Sequence, residues 1–239
     1  MRKTAERNGN YLLDAFPGEV RQRLAPHLRL DNLPLGQILH EPGDTTREIY
    51  FPTDAVVSIL YVTQDGATAA LSTVGDEGMI GLSAFMSGSS TPGRAVVQTA
   101  GNAYRMPAEL LAMEFRQDEE MQRTLLLYTQ SVITQIAQTV VCNRHHTIYQ
   151  QMSRWLLDTL DRRSGDQVIT TQEMIAGILG VRREGVTLAA KKLQEEGLIL
   201  YARGKITVPD RARLERATCE CYGVVKRETL RLLPYLTQP

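Results

Sequence analysis

Apolar positions along the chain fall into two regimes. Between Leu33 and Met106 they come in short runs, at residues 48–51, 55–63, 68–74, 94–99 and 103–105. Turn-forming groups separate them: Pro42-Gly43-Asp44, Asp65-Gly66, Gly75-Asp76, Pro92-Gly93 and Gly101-Asn102. Runs of this length predict β-strands. The spacing leaves no room for the helices a parallel sheet needs between its strands, so an antiparallel β-roll is expected. After Glu109 the period lengthens. From residue 118 to 143 there is no Gly or Pro, and the apolar residues form two helical stripes. One stripe, through Leu125, Val132 and Val141, is expected to cover the roll. The other, through Leu126, Thr129, Ile133, Ile136, Val140 and Asn143, has the 3-4 spacing of a seam and predicts pairing with the same helix of a second copy. A buried core helix in a monomer is the competing reading.

A second helix is predicted over residues 149–161, carrying Met152, Trp155, Leu156, Leu157 and Leu160, and residues 162–166 (Arg-Arg-Ser-Gly-Asp) break its pattern. A new core begins there. Thr170 or Thr171 is placed to cap a helix over Gln172–Leu179, Gly180 supplies a tight turn, and residues 182–196 form the next helix. With Val186, Ala189, Ala190 and Leu193 facing inward, Arg182, Arg183, Glu184, Thr187, Leu188 and Lys191 are left for the outward face. Arg donates twice to guanine, Glu accepts from a cytosine amino group, and Thr touches thymine or phosphate in a major groove. The helix N-terminus offers free N–H groups to phosphate. Residues 198–201 and 206–208 read as a two-stranded wing, with Arg203 and Lys205 at its tip to meet neighbouring phosphates.

Charge supports this division. The formal net charge is zero, yet residues 1–143 carry 11 Lys/Arg against 16 Asp/Glu and residues 144–239 carry 16 against 11. Only the second half suits a polyanion such as double-stranded DNA. The 43% hydrophobic content supports buried cores. Met1 to Asn10 has no apolar leader, and no stretch approaches eighteen uninterrupted apolar residues, so neither secretion nor a membrane partner is expected. Three cysteines, Cys142, Cys219 and Cys221, are too few for a disulfide framework and suit a reducing cytoplasm. No Gly-x-Ser-x-Gly, P-loop or His-Glu-x-x-His motif occurs, and none of His27, His40, His145 and His146 has an evident nucleophile partner, so no catalytic residue is assigned.

Over almost its whole length the chain resembles the Crp/Fnr family of bacterial transcription regulators. Residues 35–44 (Leu-Gly-Gln-Ile-Leu-His-Glu-Pro-Gly-Asp) look like the opening turn of its cyclic-nucleotide-type β-roll. Gly75 to Leu82 with Gly93-Arg94-Ala95-Val96 looks like its phosphate-binding cassette. Residues 171–187 (Thr-Gln-Glu-Met-Ile-Ala-Gly-Ile-Leu-Gly-Val-Arg-Arg-Glu-Gly-Val-Thr) are the most specific match, with the turn glycine and the Arg-Glu pair in the family positions. The resemblance implies an α+β chain in three parts. Residues 1–117 form the β-roll sensor with a short N-terminal helical segment, 118–145 a long central dimerisation helix and hinge, and 146–239 a winged helix-turn-helix with a C-terminal helical extension. It further implies a homodimer on a two-fold-related site near promoters, with RNA polymerase admitted as another partner. Arg183 and Glu184 would read bases with Arg182 and Thr187 beside them, while Thr171 and Gln172 would meet phosphate. Leu188 stands where many members have a second arginine, so the preferred DNA sequence is its own.

The effector pocket departs from the pattern. The expected pocket residues are Gly78, Met79, Gly81, Arg94, Ala95 and Ile136. Gly78 is followed by Met79 where cyclic-AMP-binding members have the glutamate that holds the ribose. Ala95 replaces the hydroxyl beside the phosphate-binding arginine position, held here by Arg94, and Ile136 and Ala137 replace hydroxyls toward the adenine. Losing three polar contacts at about 1 kcal/mol or more each weakens binding by two orders of magnitude or more, so cyclic AMP is not the expected ligand. Glu77 is left as the one substitute acceptor. Arg94 is read either as a phosphate ligand or as a strand arginine paired with Asp or Glu.

Cys142, His145 and His146 have the spacing of neighbouring helix faces, which suits a metal or redox sensor or, alternatively, ordinary contacts of a hinge at 143–147; no metal is assigned. Three cysteines cannot hold an iron–sulfur cluster through four thiolates. Cys219 and Cys221 are read as a redox pair or as unpaired thiols. A nucleotide- or redox-responsive module acting through protein partners would explain the roll while leaving the charged helix and the wing without purpose.

Overall fold

The computed structural model describes residues 9–86, 90–162 and 165–237. The charged N-terminus up to Asn8, and Arg163 and Ser164 of the predicted break, lie outside the described residues. Two short helices, α1 (Tyr11–Asp14) and α2 (Gly18–Leu24), lead into seven strands. These are β1 (Arg29–Leu33), β2 (Ile38–His40), β3 (Glu48–Pro52), β4 (Val56–Val62), β5 (Thr68–Val74), β6 (Gly93–Thr99) and β7 (Gly101–Pro107). Every pairing is antiparallel, and the strands form two sheets in the orders β1-β7-β3 and β2-β6-β4-β5. The two inner faces meet over Leu33, Ala55, Val57, Val74, Ile80, Val97 and Ala103.

After α3 (Ala108–Gln117), Asp118 begins α4 (Glu119–His145) by accepting a hydrogen bond from Met121 N at 2.8 Å. Leu125, Tyr128 and Val132 bury one face of α4 in a core shared with Leu12, Phe16, Phe51 and Met106. By length and composition alone α4 would pass as a membrane span. Gln135 Oε1 ties it to the roll by accepting from Thr73 N at 3.3 Å, and the buried Thr129 hydroxyl is satisfied within the helix by donating to Leu125 O at 2.8 Å. Three residues depart from the predicted stripes, one of them Ile136, which is half-buried against the roll core and not free at a seam. Thr129 is buried within the chain and not at a free seam, and Val141, near the helix end, is 43% exposed and does not cover the roll.

The backbone leaves helical geometry at His146, and Thr147 opens α5 (Ile148–Leu160) with a reciprocal capping box to Gln150. Then come β8 (Gln167–Ile169), α6 (Gln172–Leu179), α7 (Arg183–Glu195), β9 (Leu200–Ala202), β10 (Lys205–Thr207), α8 (Arg211–Ala217) and α9 (Glu220–Leu232). The wing sheet has three strands, ordered β8-β10-β9, one more than expected. The second core joins Trp155, Leu156, Val168, Ile175, Val186, Leu193, Ile206 and Leu214, and Leu60 and Ala70 of the roll pack into it. Buried polar bonds also cross between the roll and the C-terminal part: Trp155 Nε1 donates to Gln98 Oε1 at 3.2 Å, Gln98 Nε2 donates to Thr159 Oγ1 at 3.1 Å, and Arg162 Nε donates to Glu77 Oε1 at 2.7 Å.

Asp76 beside that last bridge gives a pH-dependent prediction. Burial first, then the neighbouring Glu77 charge, raises its carboxyl from an ordinary 3.8 to about 7. A carboxyl raised on folding contributes stability below its unfolded value and loses it as pH climbs through the folded one. Asp76→Asn, which mimics the neutral acid, should match wild type near pH 3 and exceed it by about 4 kcal/mol near pH 8. Urea unfolding at the two pH values checks this, and a variant equally or less stable near pH 8 contradicts it.

Candidate nucleic-acid interface and effector cleft

Thr171 caps α6 by accepting from Met174 N at 3.1 Å, and Gly180 ends it in the left-handed region at φ 66, where a side chain would be strained. The chain then turns through Arg182 into α7. Val186, Ala189, Ala190 and Leu193 are buried, so the helix is held by one face. Arg182, Arg183, Glu184, Thr187 and Lys191 are all exposed on the other, with Leu188 among them at 69% exposure. The Thr187 hydroxyl donates to Gln172 Oε1 at 2.9 Å, with Arg183 O as a second acceptor at 3.1 Å, which fixes α7 against the start of α6. Lys191 forms a weak exposed pair with Glu195 at 3.7 Å. Among the described residues, Arg182, Arg183, Arg203 and Lys205 make no ion pair.

The wing turn is built on two left-handed residues. Ala202 and Lys205 pair across it, Arg203 has φ 50 and Gly204 φ 75. Two positive φ values in a two-residue hairpin are the type I′ pattern, whose twist suits the strands but whose first position favours Asn or Asp over Arg. Arg203 is the one non-glycine residue with positive φ among the described residues. Its charge is thus carried at a conformational cost.

In the roll, a cleft of about 330 Å³ opens between β4, β5, the segment around Met79 and Gly81, and α4. Met79, Gly81 and Ile136 line it, with Ile59, Leu71, Val74 and Val132. Gly78, Arg94 and Ala95 do not. A Cβ at Gly78 would lie 2.3 Å from the Tyr128 hydroxyl oxygen, and that hydroxyl donates to Met79 O and accepts from Met79 N, each at 3.0 Å. Tyr128 therefore seals the cassette from below. Arg94 Nε donates to Glu41 Oε2 at 2.7 Å. Glu77, the one substitute acceptor, is turned away into the Arg162 bridge and also accepts from Gly75 N at 3.0 Å. His40 lines the cleft with its basicity lowered by burial, against the opposing charges of Asp44 and Glu41.

On α4, Leu126 is 55% exposed and Ile133 and Val140 are each 59% exposed, one above another at seven-residue steps. Ile136 is half-buried and faces the cleft and the roll core. The hinge brings together residues far apart in sequence. Cys142 and His146 meet Cys219 and Cys221, with all four ligand atoms within 4.8 Å of one another, whereas His145 is exposed. Nothing in local spacing marks this grouping, since 77 residues separate Cys142 from Cys219.

Residues 30–118 match the cyclic nucleotide-binding domain family, and residues 150–217 match the Crp-like helix-turn-helix domain family. Similar solved structures include a protein from Eubacterium rectale ATCC 33656 described as a transcriptional regulator of the Crp/Fnr family. It superimposes with a TM-score of 0.68 and 19% identity over 88% of this chain and 99% of that one. FixK2 from Bradyrhizobium japonicum does so with a TM-score of 0.69 and 16% identity over 80% and 98%. The regulator CLP of Xanthomonas campestris, described as responsive to c-di-GMP, gives 0.64 and 16% over 80% and 99%. At these identities the likeness is one of fold. No curated protein sequence matches the chain.

Proposed function

The chain belongs to the Crp/Fnr family of transcription regulators, and from that premise we propose that it acts in the cytoplasm as a homodimer whose two α7 helices read a two-fold-related promoter site. It is a DNA-binding regulator built from an effector-type roll and a helix-turn-helix. In our reading Arg183 and Glu184 contact base edges, Arg182 and Thr187 flank them, and Thr171, Gln172, Lys191, Arg203 and Lys205 hold phosphates. The observation that carries this is the outward face of α7. Its early turns present exposed Arg182, Arg183, Glu184 and Thr187 beside a wing tip with exposed Arg203 and Lys205. RNA polymerase is the partner through which a promoter-bound dimer would act.

A gel shift with a duplex from the gene's own upstream region, against a scrambled duplex of equal length, tests the reading. Binding tighter by about a thousandfold or more on the first duplex is expected. Equal affinity for both would reduce the protein to a non-specific polyanion binder.

The effector, in this reading, is less polar than a cyclic nucleotide. The cleft is walled mainly by Ile59, Leu71, Val74, Met79, Val132 and Ile136, while the charged groups nearest a nucleotide's position, Arg94 and Glu77, are paired elsewhere. Millimolar cyclic AMP should shift neither melting temperature nor DNA affinity. A ligand selective for the folded state at one hundred times its Kd would add about 2.7 kcal/mol. A clear melting shift at micromolar cyclic AMP contradicts this.

A further inference from the structure

We propose that Cys142, His146, Cys219 and Cys221 form a closed tetrahedral site for a single thiophilic divalent cation, of which Zn²⁺ is the type. A tetrahedron with Zn–S near 2.3 Å and Zn–N near 2.0–2.1 Å has edges of about 3.8 Å between sulfurs and about 3.6 Å between sulfur and nitrogen. Cys142 Sγ lies 3.6 Å from Cys219 Sγ, and Cys221 Sγ lies 3.4 Å from His146 Nδ1. The widest pair is within 4.8 Å and closes by about 1 Å onto an ion. No disulfide joins these sulfurs, and they are too close together to surround a cluster of several irons. All three cysteines are buried.

The surroundings are those of a ligand set. His146 turns Nδ1 to the sulfurs, and its Nε2 lies 3.3 Å from Glu220 Oε2. A carboxylate behind the far nitrogen fixes the imidazole tautomer and strengthens it as a donor, the pattern common to zinc histidines. Gln138 Nε2 donates to Cys221 Sγ at 3.1 Å, a bond that favours thiolate over thiol. The buried Arg154 guanidinium, which donates to Gln138 O, Thr139 Oγ1 and Asp158 Oδ2, places positive charge near Cys142 and so favours its thiolate. Cys219 and Cys221 stand at the N-terminus of α9, whose free N–H groups also favour thiolate. Plain packing of three buried thiols would require neither the imidazole aimed at them nor the carboxylate behind it.

The four ligands come from three places: the last turn of α4, the residue at the break before α5, and the start of α9. An ion there ties the dimerisation helix to the C-terminal helix across the hinge that carries the DNA-binding part. Binding requires the thiols to release their protons, so loading weakens as pH falls.

The test uses full-length protein, stripped with a chelator under reducing conditions and titrated with Co²⁺ and then Zn²⁺. One Co²⁺ per chain is expected, with the intense visible bands of tetrahedral cobalt, thiolate-to-cobalt charge transfer, and complete displacement by one Zn²⁺. Cysteine variants risk misfolding, so Glu220→Gln, whose side chain is 72% exposed, carries the quantitative arm. It should weaken metal affinity about 10- to 100-fold with an unchanged circular dichroism spectrum. His145→Ala should bind as wild type does. Pale octahedral cobalt spectra without charge transfer, identical affinities in wild type and Glu220→Gln, or a Cys142–Cys219 disulfide that forms with no metal bound at any pH would overturn the proposal.

Discussion

Leu126→Glu combined with Ile133→Glu is expected to turn the protein into a monomer and to abolish tight binding to its specific site. Both side chains lie more than half exposed on the same face of α4, with Val140 continuing the line. A fully buried large aliphatic side chain contributes about 1.5–3 kcal/mol, and two-fold symmetry counts each substitution twice. Four carboxylates would then meet in an apolar seam, where unpaired charge costs several kcal/mol. Thr129 and Ile136 are left untouched because both already pack within one chain. Light scattering should give the monomer mass, circular dichroism an unchanged fold, and a DNA titration only the affinity of a single half. If the variant keeps the dimer mass, the seam lies elsewhere on the molecule.

Arg183→Ala and Lys205→Ala are expected to fail in different ways. Arg183 stands in the first turn of α7, where a two-pronged guanidinium reaches adjacent guanine acceptors, so its loss should cost about 1–3 kcal/mol in each half-site and relax preference at one base pair. Lys205 stands on the wing, where it is expected to meet phosphates. Its loss should weaken binding to every sequence alike and make the salt dependence shallower by about 0.9 per lost phosphate contact. Arg203→Asn belongs with Lys205: Asn suits the left-handed position, so the turn survives and only charge is lost. Titration on specific and scrambled duplexes at several salt concentrations separates the cases. Equal losses on both duplexes for Arg183→Ala would make it a phosphate contact and pass base reading to Arg182, Glu184 or Thr187.

Local pattern was enough for much of this architecture. Gln172–Leu179 is a helix with the predicted Thr171 cap and Gly180 turn, because capping and glycine chemistry act within a few residues. β1 escaped notice because it is an edge strand whose Arg29, Leu30 and Asn32 are exposed, leaving no apolar run to see. β8 is only three residues long and owes its place to β10. Thr129 misled because its spacing from Leu126 fits a seam, yet at about 100° per residue it lies nearer in angle to Leu125 than to Leu126 and follows Leu125 into the core. The cleft was the least legible part. Motif register places Arg94 and Glu77 beside a ligand, but Glu41 and Arg162, 53 and 85 residues away, claim them. Pairings at that range leave no trace in local periodicity, and the same holds for the meeting of Cys142 with Cys219 and Cys221.

The central claim is that two α7 helices of a dimer read one two-fold site. Its most direct measurement is selection of tight-binding duplexes by the wild-type protein from a random pool, at fixed physiological salt. An inverted repeat is expected, its half-sites centred about one helical turn or a whole multiple of it apart, since paired recognition helices meet successive major grooves some 34–36 Å from each other. The enriched sequence should lose its preference at a single position per half-site when Arg183→Ala is selected in parallel. A pool that yields no enriched sequence, or only an unpaired half-site or a direct repeat, would contradict the account.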